Sequence, residues 1–213
     1  MINARKRIVI VDYGMGNLRS VGNALAFLKY SPIISSDRDT IAAAHAYVLP
    51  GVGAFGVAMK NLKERNLIDV LNENVIVRKK PLLGICLGMQ LIAQSSSEMG
   101  LHAGLGWTAG QVVQIDGGEQ LRVPHVGWNE VRPVNGHRLF ANLPPSTHFY
   151  FDHSYHLICD EDMVVARCNY GVSLVAAVQR DHIWAVQFHP EKSQTAGLKL
   201  LRNFMNFVEA GGC

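Results

Sequence analysis

The sequence predicts an α/β fold: an open mixed sheet, mostly parallel, flanked by helices and carrying an antiparallel extension. Three observations predict it. Residues 7–12, RIVIVD, are a continuous β-branched run, the pattern of a strand buried on both faces. Strand-like and helix-like patterns then alternate to about residue 105, as in parallel strands joined by crossover helices. Beyond that point, short β-like runs alternate with turn residues.

The elements follow in order. Residues 16–30 place Leu18, Val21, Leu25 and Leu28 at helical spacing. PIISS and AYVLP (46–50) read as strands, and Val57, Leu62, Leu67, Val70 and Leu71 as one helix over 57–71. PLLGI (81–85) is a fourth strand and GMQLIAQSS (88–96) a short helix. QVVQI before Gly117-Gly118, WNEVRPV before Asn135-Gly136, HFYFDHSYHL, MVVARCNYG, VSLVAAVQR and HIWAVQFH read as an antiparallel meander that joins the sheet. AGLKLLRNFMNFV closes the chain as an amphipathic helix with Leu198, Leu201, Phe204, Met205 and Val208 on one side. No linker or repeat divides the 213 residues, so residues 1–213 are expected to form one domain.

Composition narrows the function. With 48% hydrophobic and 17% charged residues the chain is ordinary for a globular protein. A net charge of +3 is too small to argue for nucleic acid, and the basic cluster Arg5-Lys6-Arg7 reads as a solvated lead into the first strand. No run of 18 apolar residues predicts a membrane span. No signal-peptide core precedes Asp12, so a cytoplasmic protein is expected. Cys86, Cys159, Cys168 and Cys213 include no CxxC pair, which argues against a zinc cage. Neither a metal nor a cofactor is expected. Cys159 and Cys168 read as buried small apolar residues and Cys213 as part of a mobile tail.

Two glycine-rich stretches resemble nucleotide loops. YGMGNLR has Arg19 where the dinucleotide fingerprint needs its third glycine. PGVGAFG matches G-x-G-x-x-G at Gly51, Gly53 and Gly56, but not on the first βα unit, and Pro50 stiffens its start. It reads either as a tight βα turn or as a flexible backbone whose N–H groups face a reacting carbonyl.

GICLGMQ (84–90) carries the strongest chemical signal. Cys86 stands between two glycines on a strand-to-helix turn, the form of a nucleophile elbow. Such a turn exposes its side chain at the carboxyl edge of the sheet, and a helix N-terminus favours thiolate. A thiol nucleophile needs a base. In VQFHPEKS, His189 ends an apolar strand and Glu191 follows two residues on, on the same face of an extended chain. Glu191 could thus orient the imidazole as the third member of a triad.

PGVGAF, GICLGMQ and FHPEKS together resemble the class I (triad-type) glutamine amidotransferases. DYGMGN, PHVGWNEV and YFDHSYH narrow the resemblance to the glutaminase subunits of imidazole glycerol phosphate synthases, over Val11 to about Phe207. The resemblance implies that family's fold and a chain that hydrolyses glutamine through a thioester on Cys86, with His189 and Glu191 completing the triad. It implies an oxyanion hole at Val52 and Leu87, with glutamine held by Gly53, Gln90, Glu98, Ser154 and Tyr155. It also implies a (β/α)8-barrel cyclase partner that receives the ammonia, with Asn17, Trp128, Tyr150 and Lys192 at the interface. Val126 and Asp152 depart from the methionine and valine common in that family, and Asp152 has no account in the sequence. A γ-glutamyl hydrolase would lack DYGMGN and PHVGWN, and a silent regulatory subunit would be expected to lose a triad member. Acceptor chemistry belongs to the partner, so a nucleotide-sugar route is the alternative destination for the ammonia.

Overall fold

The apolar runs of the first half assemble side by side, because a strand apolar on both faces is stable only with helices above and below it. The computed structural model describes residues 6–117, 121–134 and 136–211. Arg5, Gly118, Asn135 and Cys213, named above, lie outside the described residues. In chain order, β1 (Ile8–Val11), α1 (Leu18–Phe27), β2 (Ile33–Ser35), α2 (Arg38–Ala42) and β3 (Ala46–Gly51) come first. There follow α3 (Phe55–Glu64), α4 (Leu67–Leu71), a π-helical turn over Asn72–Val77, β4 (Leu82–Cys86) and α5 (Leu87–Leu91). Next come β5 (Ser95–Ser96), β6 (His102–Ala103), β7 (Gln111–Gln114), β8 (His125–Pro133), β9 (Thr147–His153) and β10 (Tyr155–Ile158). The last elements are β11 (Val164–Tyr170), β12 (Val172–Arg180), β13 (Ile183–Val186) and α6 (Gln194–Glu209).

The main sheet has the order β2-β1-β3-β4-β13-β12-β11-β8-β9. Its first five strands run parallel, and the rest form the antiparallel extension. One core, on the face of α1 and α6, is built from Leu25, Phe149, Trp184, Phe188 and Phe204. The other, on the face of α3, α4 and α5, is built from Tyr47, Phe55, Leu62, Leu71 and Met89. No helix among the described residues is long and apolar enough to cross a membrane.

The structure corrects the sequence reading in six places. The helix over 57–71 is two helices, broken where Asn66 takes φ +54°. A short helix, α2, separates β2 from β3; Asp37 starts it by accepting the Thr40 N–H at 2.7 Å. Residues 95–96 leave the helix for a strand, because they pair with β6 and β7. HFYFDHSYHL is not one strand: β9 and β10 part at Ser154, and β10 joins β7, β5 and β6 in a separate four-stranded sheet. β13 is antiparallel to β12 but parallel to β4, so it lies at the centre of the parallel sheet rather than in a peripheral meander. Of the two cysteines expected to be buried, Cys168 is and Cys159 is only partly so.

Candidate active site

The placement of β13 builds the site. Parallel neighbours end at the same edge of a sheet, and Ile85 of β4 lies beside Val186 of β13. Cys86 and the segment Gln187–Glu191 therefore emerge together at the carboxyl edge. Cys86 has φ +54° and ψ −110°, a conformation that costs a non-glycine residue on the order of 1–3 kcal/mol. Its flanking glycines are there for space. A Cβ on Gly84 would lie 2.9 Å from the Gly88 carbonyl oxygen, and one on Gly88 would lie 1.7 Å from that of Leu49.

His189 Nδ1 lies 2.8 Å from Glu191 Oε1, and both side chains are almost completely buried. The ring's Nε2 is buried without a completed hydrogen bond. Burial works against charge on His189. The nearby Cys86 and the hydrogen-bonded Glu191 carboxylate outweigh it, and the imidazole is held above its ordinary range. The turn carrying the dyad is pinned to β9: the His189 N–H donates to the Tyr150 carbonyl at 2.8 Å, and the Tyr150 N–H to Ser193 Oγ at 3.0 Å. Ser193 Oγ in turn donates to the His189 carbonyl at 2.6 Å.

A cavity of about 340 Å³ opens over the thiol. It brings together Val52, Gly53, Cys86, Leu87, Gln90, Glu98, Ser154 and Tyr155, each expected from the sequence, and adds Pro124, Asp152 and His153. A larger cavity of about 710 Å³, around Asp69, Trp107, Arg180 and His182, contains none of the expected residues. Glu98 has a structural task as well: its Oε2 accepts the Phe55 N–H at 2.6 Å, at the start of α3, which has no other side-chain cap. The stretch before Val52 is fixed from DYGMGN. Tyr13 donates its hydroxyl to the Pro50 carbonyl at 2.8 Å, and burial holds that phenol above its ordinary range. Gly16 and Met15 sit against Pro50 and Gly53, where a Cβ on Gly16 would meet the Pro50 oxygen at 3.1 Å.

Gln187 was not singled out in the sequence. It is fully buried, its Nε2 donates toward Cys86 Sγ at 3.7 Å, and its Oε1 accepts from Gln90 Nε2 at 3.1 Å. The signal was available: Gln187 lies two residues before His189 in an apolar strand, on the same face. Ser193, the last residue of FHPEKS, was quoted without a role.

The expected interface residues lie around this edge. Trp128 is 48% exposed, and Asn17 starts α1 partly buried. Trp128 and Tyr150 are cross-strand partners in edge-to-face contact at 6.2 Å. Lys192 lies over the Tyr150 ring at 5.1 Å and reaches Asp152 at 3.7 Å. The unexplained acid at 152 therefore has a partner within the chain. Both groups are partly exposed, so the pair is worth on the order of 0–1 kcal/mol. Asp152→Asn should change unfolding free energy in urea by less than about 1 kcal/mol. A loss above about 2 kcal/mol would show that the pair is structural rather than a rim contact.

Comparison of the whole chain decides its family. The sequence pattern of the family described as "Glutamine amidotransferase class-I" matches residues 9–207. The chain belongs to the class-I glutamine amidotransferases. This amidotransferase is 48% identical to "Imidazole glycerol phosphate synthase subunit HisH 2" of Vibrio vulnificus, across 95% of each chain. It is 45% identical to "Imidazole glycerol phosphate synthase subunit HisH" of Moorella thermoacetica, across 96% of this chain and 97% of that one. Its fold is that of a solved structure described as a glutamine amidotransferase, with a TM-score of 0.75, 21% identity and 94% and 98% of the two chains covered.

Proposed function

We propose that this amidotransferase hydrolyses glutamine to glutamate and ammonia, and passes the ammonia to a cyclase subunit that makes imidazole glycerol phosphate in histidine biosynthesis. The observation that carries the chemistry is the buried Cys86, His189 and Glu191 constellation under the cavity, with His189 and Glu191 at 2.8 Å. Cys86 Sγ attacks the amide carbon of the substrate side chain, and its proton passes to His189 Nε2. His189 returns a proton to the departing nitrogen, ammonia leaves, and a γ-glutamyl thioester remains. Water then attacks the thioester with Nε2 as base, freeing glutamate and the thiol. Glu191 accepts the Nδ1–H and fixes the ring's orientation throughout.

The oxyanion needs fixed donors. Leu87 supplies one at the start of α5, where the first N–H groups have no partner within the helix. Val52 supplies the other, between Gly51 and Gly53, and Gly53 has φ +102°. Gln90 meets the substrate with its carbonyl oxygen, because both hydrogens of its amide are taken by Tyr155 and Gln187. Glu98 has one carboxylate oxygen left after binding Phe55, and the two acceptors suit the ammonium of glutamine. Gly53, Ser154 and Tyr155 complete the cavity wall.

The partner is a (β/α)8-barrel cyclase docked over the cavity, in the cytoplasm, against Asn17, Trp128, Tyr150 and Lys192. Supporting it, the similar chains of Vibrio vulnificus and Moorella thermoacetica are named as subunits of a synthase. Half-exposed Trp128 is an anchor of the type that dominates interface energetics. Asp152 already balances Lys192 in the free chain, so an acidic group of the partner has to share or displace it. The test is glutamate release by the chain alone, with the barrel, and with the barrel and its nucleotide ligand. Activity that is weak alone and rises steeply in the full mixture is expected. Activity indifferent to the barrel would overturn the partner assignment, and none in any mixture would overturn the glutaminase.

A further inference from the structure

Two buried histidines without a part in this chemistry stand at the cavity, and His153 is one of its lining residues. His125 on β8 and His153 at the end of β9 are cross-strand partners, both buried. The His125 ring is sandwiched between Phe151 at 4.6 Å and Tyr170 at 3.9 Å. His125 Nδ1 lies 3.0 Å from His153 Nε2. At one end of this pair, Asn129 Nδ2 lies 3.2 Å from His125 Nε2. At the other, His153 Nδ1 lies 2.8 Å from the Tyr155 carbonyl oxygen.

The ends fix the direction of every bond. Asn129 Oδ1 accepts the Glu130 N–H at 2.7 Å, so the amide nitrogen is the atom facing His125, and it can only donate. The Tyr155 oxygen can only accept. His125 Nε2 is therefore bare, and His153 Nδ1 carries a proton. One proton is left for the middle bond. With His153 neutral it sits on His125 Nδ1, and both rings are the neutral Nδ1–H tautomer. A second proton on either ring would break the row. On His153 it would set one N–H against another, and on His125 it would meet the Asn129 donor. Burial disfavours that charge, pushing His125 down to about 4 and His153 to about 3. The bond to Tyr155 works against this, and nearby His125, His156 and His189 lower His153 further.

The row ends on a shared acceptor. The Tyr155 carbonyl also accepts from Gln90 Nε2 at 2.9 Å, and Gln90 leads through Gln187 to Cys86. We propose that His125 and His153 are positioning residues, which as a neutral pair hold the Tyr155 carbonyl where it aims the Gln90 amide at the substrate. The inference rests on the glutaminase reading for what the cavity holds, but the ring tautomers test the row by themselves.

Long-range ¹H–¹⁵N NMR on the full chain should show both rings neutral with Nδ1 protonated at pH 6 and at pH 8. An Nε2–H tautomer or an imidazolium at either position would overturn the row. In the glutaminase assay, His125→Leu should raise KM for glutamine about tenfold, as expected for one lost hydrogen bond, with kcat within about threefold. Alkylation of Cys86 by iodoacetamide should be unchanged. His125→Asn keeps a donor where Nδ1 was and should bring KM back to within about threefold of the parent. Equal losses in the two variants, or a fall in kcat at constant KM, would overturn the positioning role. Should His125→Leu fail to fold, the tautomers and His125→Asn still decide. A parent without glutaminase activity would sink the functional reading and leave the row to the NMR result.

Discussion

Cys86→Ala should lower glutamine hydrolysis by at least about ten-thousand-fold while leaving the fold and partner binding intact. Removing the nucleophile of a triad leaves only the residual catalysis of binding and the oxyanion donors, orders of magnitude below that of the complete site. The cost to stability is small because the thiol makes only weak contacts, at 3.7 Å from Gln187 Nε2 and 3.9 Å from the Asp152 carbonyl. The elbow strain outlives the thiol, since alanine also resists φ +54° with ψ −110°. Cys86→Gly should therefore be more stable to unfolding than Cys86→Ala, by up to roughly the 1–3 kcal/mol of that strain. The variant should also report on His189. Cys86 is one of the two groups that hold the imidazole high, so without it burial regains weight and the ring's pKa should fall. The sign for stability follows. A histidine raised above its unfolded value of about 6.5 contributes stability that is full below that value and is lost as pH rises through the folded one. Cys86→Ala brings that loss to lower pH. NMR titration of His189 alongside thermal unfolding at several pH values checks both. An unshifted imidazole, or loss of barrel binding in the variant, would count against a purely chemical role for Cys86.

The parallel half of the fold was legible because its strands are buried on both faces, and such runs as RIVIVD announce themselves. The direction of pairing was not. β13 looks like the last strand of a meander because it follows β12 across a tight turn, and nothing in its own residues says that its other neighbour is β4. That neighbour matters most for the site, since it sets His189 beside Cys86. The proposed nucleophile and dyad were legible as candidates because elbow glycines and a His-x-Glu strand end are local patterns. Gln187 was passed over as one polar residue in an apolar run, although its burial beside the thiol follows from the same period-two geometry that selected His189. The partner of Asp152 was hidden for another reason: Lys192 is distant in sequence and meets it only through the pinning of His189–Ser193 to β9. The hydrogen-bonded row at the cavity was beyond reach: PHVGWNEV and YFDHSYH carry its histidines, but neither stretch says that the two rings meet until β8 and β9 pair.

Gly88→Ala should destabilise the chain by about 3 kcal/mol or more and lower glutaminase activity with it. The new Cβ would lie 1.7 Å from the Leu49 carbonyl oxygen and 2.8 Å from its carbon, far inside any real contact. Those are backbone atoms, so no rotamer change relieves the clash. Helix α5 cannot retreat, since Leu87, Met89 and Leu91 are buried in the second core. Nor can β3 yield cheaply, because Leu49 is in register with Gly84 and Pro50 accepts the Tyr13 hydroxyl. Whatever moves, Leu49 is three residues from Val52, so the displacement reaches the proposed oxyanion donor as well as the elbow. For a chain of this length, 3 kcal/mol corresponds to a fall in Tm of about 6–12 °C. Gly22→Ala is the control. Gly22 is in α1, and a Cβ there would meet only the ends of Ile10 and Ile34 at 3.7 Å, ordinary van der Waals contact. That change should stabilise by about 0.4–1 kcal/mol through the unfolded chain and leave activity untouched. Thermal unfolding and glutamate release measured on the pair separate the two causes. If Gly88→Ala unfolds like Gly22→Ala, the contact with Leu49 is not what requires a glycine after the nucleophile.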